Sequence, residues 1–475
     1  MDWSLARSRF AFVASALEGS GGFRPRVTWQ QTWVTDPSTG RLVSGANVPT
    51  LAGPTELVRH RRESDANFGA RNALAVYENH LRSACERFAG FLGRRSPQRD
   101  NADAPLVALM VNDADLRESS LDAFWRGFAL DAKARGSLLL VIDKPEGAPA
   151  TSLGQQIARR AVPYIRSAFP EDVVEFRQDP DSGLFLKITL AGEEWIDDKL
   201  QAVERDYSTT GWRIRVGDRV IREGEHAFGA CPVLAFTESG RPFPVIGEYE
   251  QIACLSRAVF NKRSERDDLM RSQGFSLLTL QVPPDSNFDP STVSATIGTH
   301  SMLVHAGDTP AFISPDSGPA ERYSADIEEL QQAIRRIGRE ESTEVGTQAE
   351  SGVARRLRFE ALNASIATFA QNLQQLELRM WALFHRAIGS TSRVTVAWPT
   401  DYNLSDVAAE LDILTMMQAA GFPPRVLTEK RQAIASAEFD SADDDTKAEL
   451  AAAIDEAEQA AARDATDPNN PDPGA

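Results

Sequence analysis

His300 and His305 are the nearest pair among the six histidines, but neither a CxxC pair nor an HExxH accompanies them. They read as strand or loop residues rather than metal ligands. Asp143 closes the apolar run 138–142, the place where a magnesium-binding aspartate stands in proteins that carry a phosphate loop. No GxxxxGKS or GxxxxGKT occurs, so Asp143 is expected to be a turn residue at a strand end. Asp267 and Asp268 take successive helix positions and point apart, which disqualifies them as an acid–base couple. Neither GxGxxG nor GxSxG is found. The expectation is a protein with no catalytic residue, no metal and no cofactor, and not an enzyme. Cys85, Cys231 and Cys254 are odd in number and far apart, and read as reduced core residues.

Other residues suit binding better than catalysis. Lys262, Arg263, Arg266 and Arg271 interleave with Glu265, Asp267 and Asp268. Such a pattern is either a solvated helix face laced with ion pairs or a face that weakly meets nucleic acid or a neighbouring subunit. Residues Glu344, Val345, Gly346, Thr347, Gln348, Ala349, Glu350 and Ser351 form a polar loop between two helical stretches. After it, Leu362, Ile366, Phe369, Leu373, Leu376, Met380 and Leu383 alternate steps of four and three. That is a seam for partner helices, supplied from within the chain or from another copy.

The elements that hold these groups follow from periodicity. Residues 247–273 predict one long helix, with Lys262 and Arg266 continuing the stripe of Ile252, Leu255, Val259 and Leu269. Its buried face therefore turns charged halfway along. Ile327, Leu330, Ile334 and Ile337 mark a second helix, and FSLLTLQV, SMLVHAG and DTPAFIS between the two read as strands. Residues 1–55 are rich in Gly, Pro, Ser and Thr, with Trp29 and Trp33 beside the turn DPSTG, and read as an arm of loops and short strands. A helix is expected from 54, broken near Gly69, then carrying Leu74, Tyr77, Leu81, Cys85, Phe88 and Leu92 on one face up to Gly93. Another spans 120–135, with Leu121, Phe124, Phe128 and Ala132 on one side and Gly136 as its stop. SLLLVID and CPVLAF read as strands, and hairpins turn at 179–183 and at Gly217 and Asp218. RVTVAW is a strand before Pro399; 405–435 is a helix–turn–helix piece with Gly421 as the stop and Pro423–Pro424 opening the second helix. The fold class is α+β and mainly helical.

The length of 475 residues suits about three structural units. No run of 18 apolar residues predicts a membrane span. The apolar stretch near the start is short and Asp2 precedes it, so a secretory signal is not expected. Of the net charge of −17, twelve acidic residues from Glu438 onward, opposed only by Lys447 and Arg463, contribute −10. The first 437 residues are thus mildly acidic, without the basic face of a protein that grips phosphate backbones tightly.

In this order the parts resemble the portal proteins of tailed bacteriophages. YENHLRSACERFAGFLGRR is similar to the early helix of the portal wing, and AKARGSLLLVIDKPEG to the wing helix and strand after it. CPVLAF followed by PVIGEYEQIACLSRAVFNKRSERDDLMRSQGFSLLTL resembles the strand and stem helix that lead into a clip. IEELQQAIRRIGREEST resembles the returning stem helix, EVGTQAESG with the helix after it a tunnel loop and long wing helix, and LDILTMMQAAGFPPRVLTEKRQAI a helical crown. The resemblance covers about residues 56–435 and implies a portal-type fold. It divides the chain into an arm (1–55), wing (56–245), stem helix (246–273), clip (274–322), returning stem helix (323–341), tunnel loop (342–352), long wing helix and strand (353–400), crown (401–460) and disordered acidic tail (461–475). It further implies a homo-oligomeric, dodecameric ring at the capsid vertex of a virion, assembled in the host cytoplasm. Double-stranded DNA would pass through without sequence preference during packaging and ejection. The implied partners are the terminase large subunit, head–tail adaptor proteins and the major capsid or scaffold protein, with no membrane. Glu344 to Ser351 would face the channel, and Lys262, Arg263 and Arg266 would lie on the stem near DNA. The alternative is a non-catalytic cytoplasmic scaffold whose heptad helix binds partner helices.

Overall fold

A computed structural model describes residues 2–35, 41–102, 104–145, 152–273, 277–281, 302–305, 312–313, 318–340, 352–391, 393–402, 407–438, 446 and 449–457. The chain divides into two units, one of 1–347 with 365–400 and one of 348–364 with 401–475.

The first unit begins with a helix where an arm of loops and short strands was expected; the strands follow it. Helix α1 (Trp3–Glu18) is capped by the Asp2 carboxylate, which accepts a hydrogen bond from Ser4 N, and it ends at the left-handed Gly19. Ala6, Phe10, Val13, Ala16 and Leu17 are fully or nearly buried. The apolar patch near the start is therefore core, and its helical period was outweighed in the sequence by the Gly- and Pro-rich residues after it. Strands β1 (Val27–Thr35) and β2 (Leu42–Leu51) follow as an antiparallel hairpin.

Helix α2 (Asp65–Leu74) runs straight through Gly69, where a break was expected. Gly69 serves close approach: a Cβ there would stand 2.0 Å from the Pro49 carbonyl oxygen of β2. The break falls instead between Leu74 and α3 (His80–Leu92), so Leu74 is exposed while Leu81, Cys85, Phe88 and Leu92 are buried. Strand β3 (Gln98–Asp100) and helix α4 (Pro105–Asn112) come next. Helix α5 (Leu121–Arg135) stops at Gly136, φ 80°, as expected, and Ser120 caps its start by accepting from Ala123 N. Trp125 rather than Phe124 joins Leu121 and Phe128 in the core.

Strands β4 (Ser137–Asp143) and β5 (Tyr164–Ala168), with the short helix α6 (Leu153–Ala158) between them, begin the sheet region. Strands β6 (Val173–Gln178), β7 (Phe185–Ile196), β8 (Lys199–Ser208), β9 (Gly211–Val216) and β10 (Arg219–Glu225) form an antiparallel meander. Strand β11 (Val233–Thr237) pairs with β4 to make the three-stranded order β11-β4-β5. Val141, Leu139, Val173, Ile188, Leu190 and Phe243 pack between the two sheets.

Helix α7 (Glu250–Gln273) leads into strands β12 (Leu277–Gln281), β13 (Met302–His305) and β14 (Phe312–Ile313). Strand β12 is central, parallel to β13 and antiparallel to β14. Helix α8 (Gly318–Ile337) starts ahead of the expected 323. Helix α9 (Gly352–Ile388) follows, and β15 (Thr395–Ala397) pairs with β3. In the second unit α10 (Val407–Ala419) and α11 (Pro424–Glu438) are joined through Gly421 at φ 72° and tied by a Lys430–Glu410 ion pair.

Candidate functional site

Helices α7 and α8 are the elements on which the expected binding residues stand. They are antiparallel: Glu248, just ahead of α7, meets Arg339, just past α8, at 3.8 Å, while Lys262 meets Asp326 at 2.6 Å. Ile252, Ala253, Val259 and Phe260 of α7 share one buried cluster with Ile327 and Ile334 of α8 and with α1 and α3 residues. Leu255, Leu330 and Ile337 pack at its margin. Burying side chains of this size stabilises by roughly 1.5–3 kcal/mol each, so the start of α7 is firmly seated.

The seat has a backbone component. Gly247 N donates to the Arg135 carbonyl at 2.9 Å, and Glu238 N donates to the Gly136 carbonyl at 2.9 Å. A Cβ on Gly136 would fall 2.1 Å from Gly247 N, and one on Gly247 would fall 2.7 Å from Gly136 Cα. Two glycines let α7 leave the body directly over the end of α5.

Halfway along α7 the polar residues are gripped from segment 56–78. The Asn261 side-chain oxygen accepts from Val58 N at 2.6 Å and its amide donates to the Glu56 carbonyl at 2.9 Å. Buried Arg71 donates to both Glu63 carboxylate oxygens, at 2.9 and 2.8 Å, and to the Val58 carbonyl at 2.7 Å. That pairing lowers the Glu63 carboxyl below its ordinary range. Arg71 and Asn261 are structural anchors that helical periodicity could not reveal, because their partners lie elsewhere in the chain.

Lys262, Arg263 and Arg266 all stand on α7, each with an acid beside it. Lys262 is bound by Asp326, and that hydrogen bond raises its pKa. Arg263 pairs with Glu78, and Arg266 with Asp267 at 2.9 Å. Two of the three pairs therefore join α7 to other parts of the chain, α8 and the α2–α3 connection. They are at least a quarter exposed at the cation, so each contributes at most about 1 kcal/mol. Of the acidic pair, Asp267 receives Arg266 and both carboxylates are exposed.

The loop Glu344, Val345, Gly346, Thr347, Gln348, Ala349, Glu350, Ser351 lies outside the described residues. So does His300; His305 ends β13. Among the described residues no three His, Cys, Asp or Glu side chains gather as a metal site. Of the cysteines, Cys85 and Cys231 are buried, and burial pushes the Cys231 thiol up to about 12, whereas Cys254 is exposed on α7 and is not the core residue expected.

The heptad residues of α9 are filled within this chain. Leu362, Ile366, Phe369, Leu373, Leu376 and Met380 are all buried. Phe369 meets Phe88 of α3 at 5.1 Å and Phe236 of β11 at 4.8 Å, so a strand as well as a helix lines the seam that was expected to take partner helices.

A feature the sequence reading missed lies between the two sheets. Asp143, at the end of β4 as expected, accepts a hydrogen bond from Lys144 N and borders a groove of about 1370 Å³ with Arg166, Arg205 and Trp212. The alternating arginines of β8 to β10 were a signal in the sequence, but pairing register and the arrival of β5 decide which of them face the groove.

No protein-family model matches the sequence, and no curated protein matches it. Among solved structures, the chain is similar to one from the virion of a native gene transfer agent particle, at 13% identity and a TM-score of 0.41, over 75% of this chain and 90% of that one. It is similar to one from the neck of an empty particle of that kind, computed with C6 symmetry, at 12% identity and 0.39, over 75% and 88%. A third, from the neck of a native particle computed with C12 symmetry, gives 12% and 0.40, over 75% and 89%.

Proposed function

We propose that this chain is a portal-type subunit, forming a ring at a capsid vertex through which double-stranded DNA is packaged and ejected. The observation that carries this reading is the antiparallel α7–α8 pair. It is seated on the body at Gly136 and Gly247, and it brackets a separate small sheet of β12, β13 and β14. A helix out, a small domain and a helix back is the stem-and-clip plan that the sequence resembles. The electrostatics suit a conduit. A wall of unpaired cations would accumulate counterion-release affinity and hold DNA fast, whereas Lys262, Arg263 and Arg266 are each offset by an acid of the same chain. In this reading the ring is dodecameric, and its surfaces dock the terminase large subunit, head–tail adaptor proteins and the major capsid or scaffold protein.

The scaffold alternative rested on a heptad helix open to partner helices. Ile366, Phe369, Leu373, Leu376 and Met380 are already buried by this chain, which removes its basis. Native mass measurement and negative-stain microscopy of the purified chain test the proposal. Closed rings with a central hole are expected; a monomer or small dimer under every condition overturns it.

A further inference from the structure

We propose that the groove between the two sheets binds an acidic peptide segment whose carboxylates alternate with apolar side chains. This site stands on the first unit alone and does not depend on ring formation. The groove is enclosed by the end of β4, the α6–β5 connection, and β8, β9 and β10, and holds about 1370 Å³. That exceeds the ~300–1,000 Å³ of a small-ligand pocket and suits an extended segment.

Its charge is unbalanced. Arg205 and Arg222 share Glu194, and Arg213 takes Glu223 at 3.0 Å. Arg117, Lys144, Arg159 and Arg166 also line the groove, and among the described residues none of their charged side-chain groups has a carboxylate within 4.0 Å. Opposite them only Asp143 and Glu225 lack a cation at that distance among the described residues. Arg166 donates to the Tyr207 hydroxyl at 2.7 Å, which fixes its guanidinium without neutralising it. Burial first, then the neighbouring Arg166, lowers the Arg205 guanidinium below its ordinary value, as expected of two cations held together without enough anion. His226 adds a buried Nδ1 with no partner among the described residues.

The chemistry of the wall selects the occupant. A phosphodiester strand carries a charge at every nucleotide and would meet Asp143 and Glu225. A peptide can place carboxylates at the guanidiniums, where forked donors match them, and lay apolar side chains on Tyr164, Trp212, Ile221 and Phe228.

The test uses the full chain and fluorescence polarisation. The probes are a labelled peptide of about twelve residues alternating Glu with Leu and Phe, the same peptide with Lys for Glu, and a labelled oligothymidine of equal length. The acidic peptide should bind, and the Lys peptide should not. Arg166→Gln and the exposed Arg159→Glu should each weaken binding by about tenfold or more, and Asp143→Asn should tighten it. Arg82→Gln, at an exposed surface pair on α3, should leave it unchanged. Because Arg159 is exposed, its variant keeps the test valid if Arg166→Gln unfolds the protein. No peptide binding, equal binding by all variants, or preference for oligothymidine overturns the proposal.

Discussion

Glu377 is a carboxylate with no exposed surface, and its surroundings show what that requires. Its Oε1 accepts from Arg99 Nε at 2.6 Å and from Trp381 Nε1 at 3.3 Å, and its Oε2 from Trp398 Nε1 at 2.9 Å. Arg99 holds Asp122 at 2.7 Å as well. One acid thus ties α9 to the β3–β15 pair and to α5. Removing it leaves the Arg99 guanidinium buried with half its partners, so Glu377→Ala should cost roughly 3–5 kcal/mol, read as a lowered urea midpoint. Glu377→Gln, which keeps an acceptor, should lose less. None of this was legible beforehand: Glu377 falls among the polar residues of a heptad helix, and Arg99 lies 278 residues away in the chain.

At the scale of elements, the seat of α7 is the most exacting contact. The Gly136–Gly247 crossing has no space for a side chain, and Gly136 also holds a left-handed φ of 80°. Gly247→Val should therefore lower the unfolding temperature and raise amide exchange along α7 and α8, measured by hydrogen–deuterium exchange. Gly127, in α5, has open space where a Cβ would go. Gly127→Ala should accordingly raise stability by about 0.5–1 kcal/mol through helix propensity alone. Gly136 was readable as a helix stop because the left-handed conformation is local. Its second role, admitting Gly247, was not, since close approach is a property of two distant segments.

For the whole molecule, the proposed ring sets what the segment Glu344 to Ser351 should do. It follows α8 and precedes α9, the helix whose seam is locked into this chain's own core. Deleting 344–351 should leave ring assembly intact by native mass measurement while impairing DNA packaging or retention in assembled particles. Normal packaging by the deletion variant would remove the loop from the DNA path.

Local chemistry determined most of the elements: the Ser120 cap and Gly136 stop of α5, the turns at Gly183 and Gly217, the unbroken run of α9 and the Gly421 turn between α10 and α11. These features depend on residues a few positions apart, and dihedral preference and side-chain period act at that range. Tertiary structure decided the rest. It made α1 part of the core, turned Gly69 from a break into a contact, and filled the α9 seam with a strand as well as a helix. It also gave Lys262 and Arg263 acids from distant parts of the chain, and gathered Arg166 and Arg205 from two sheets into one groove. Each of those outcomes depends on which distant surface arrives, and the packing of long-range neighbours is not written in any single stretch of chain.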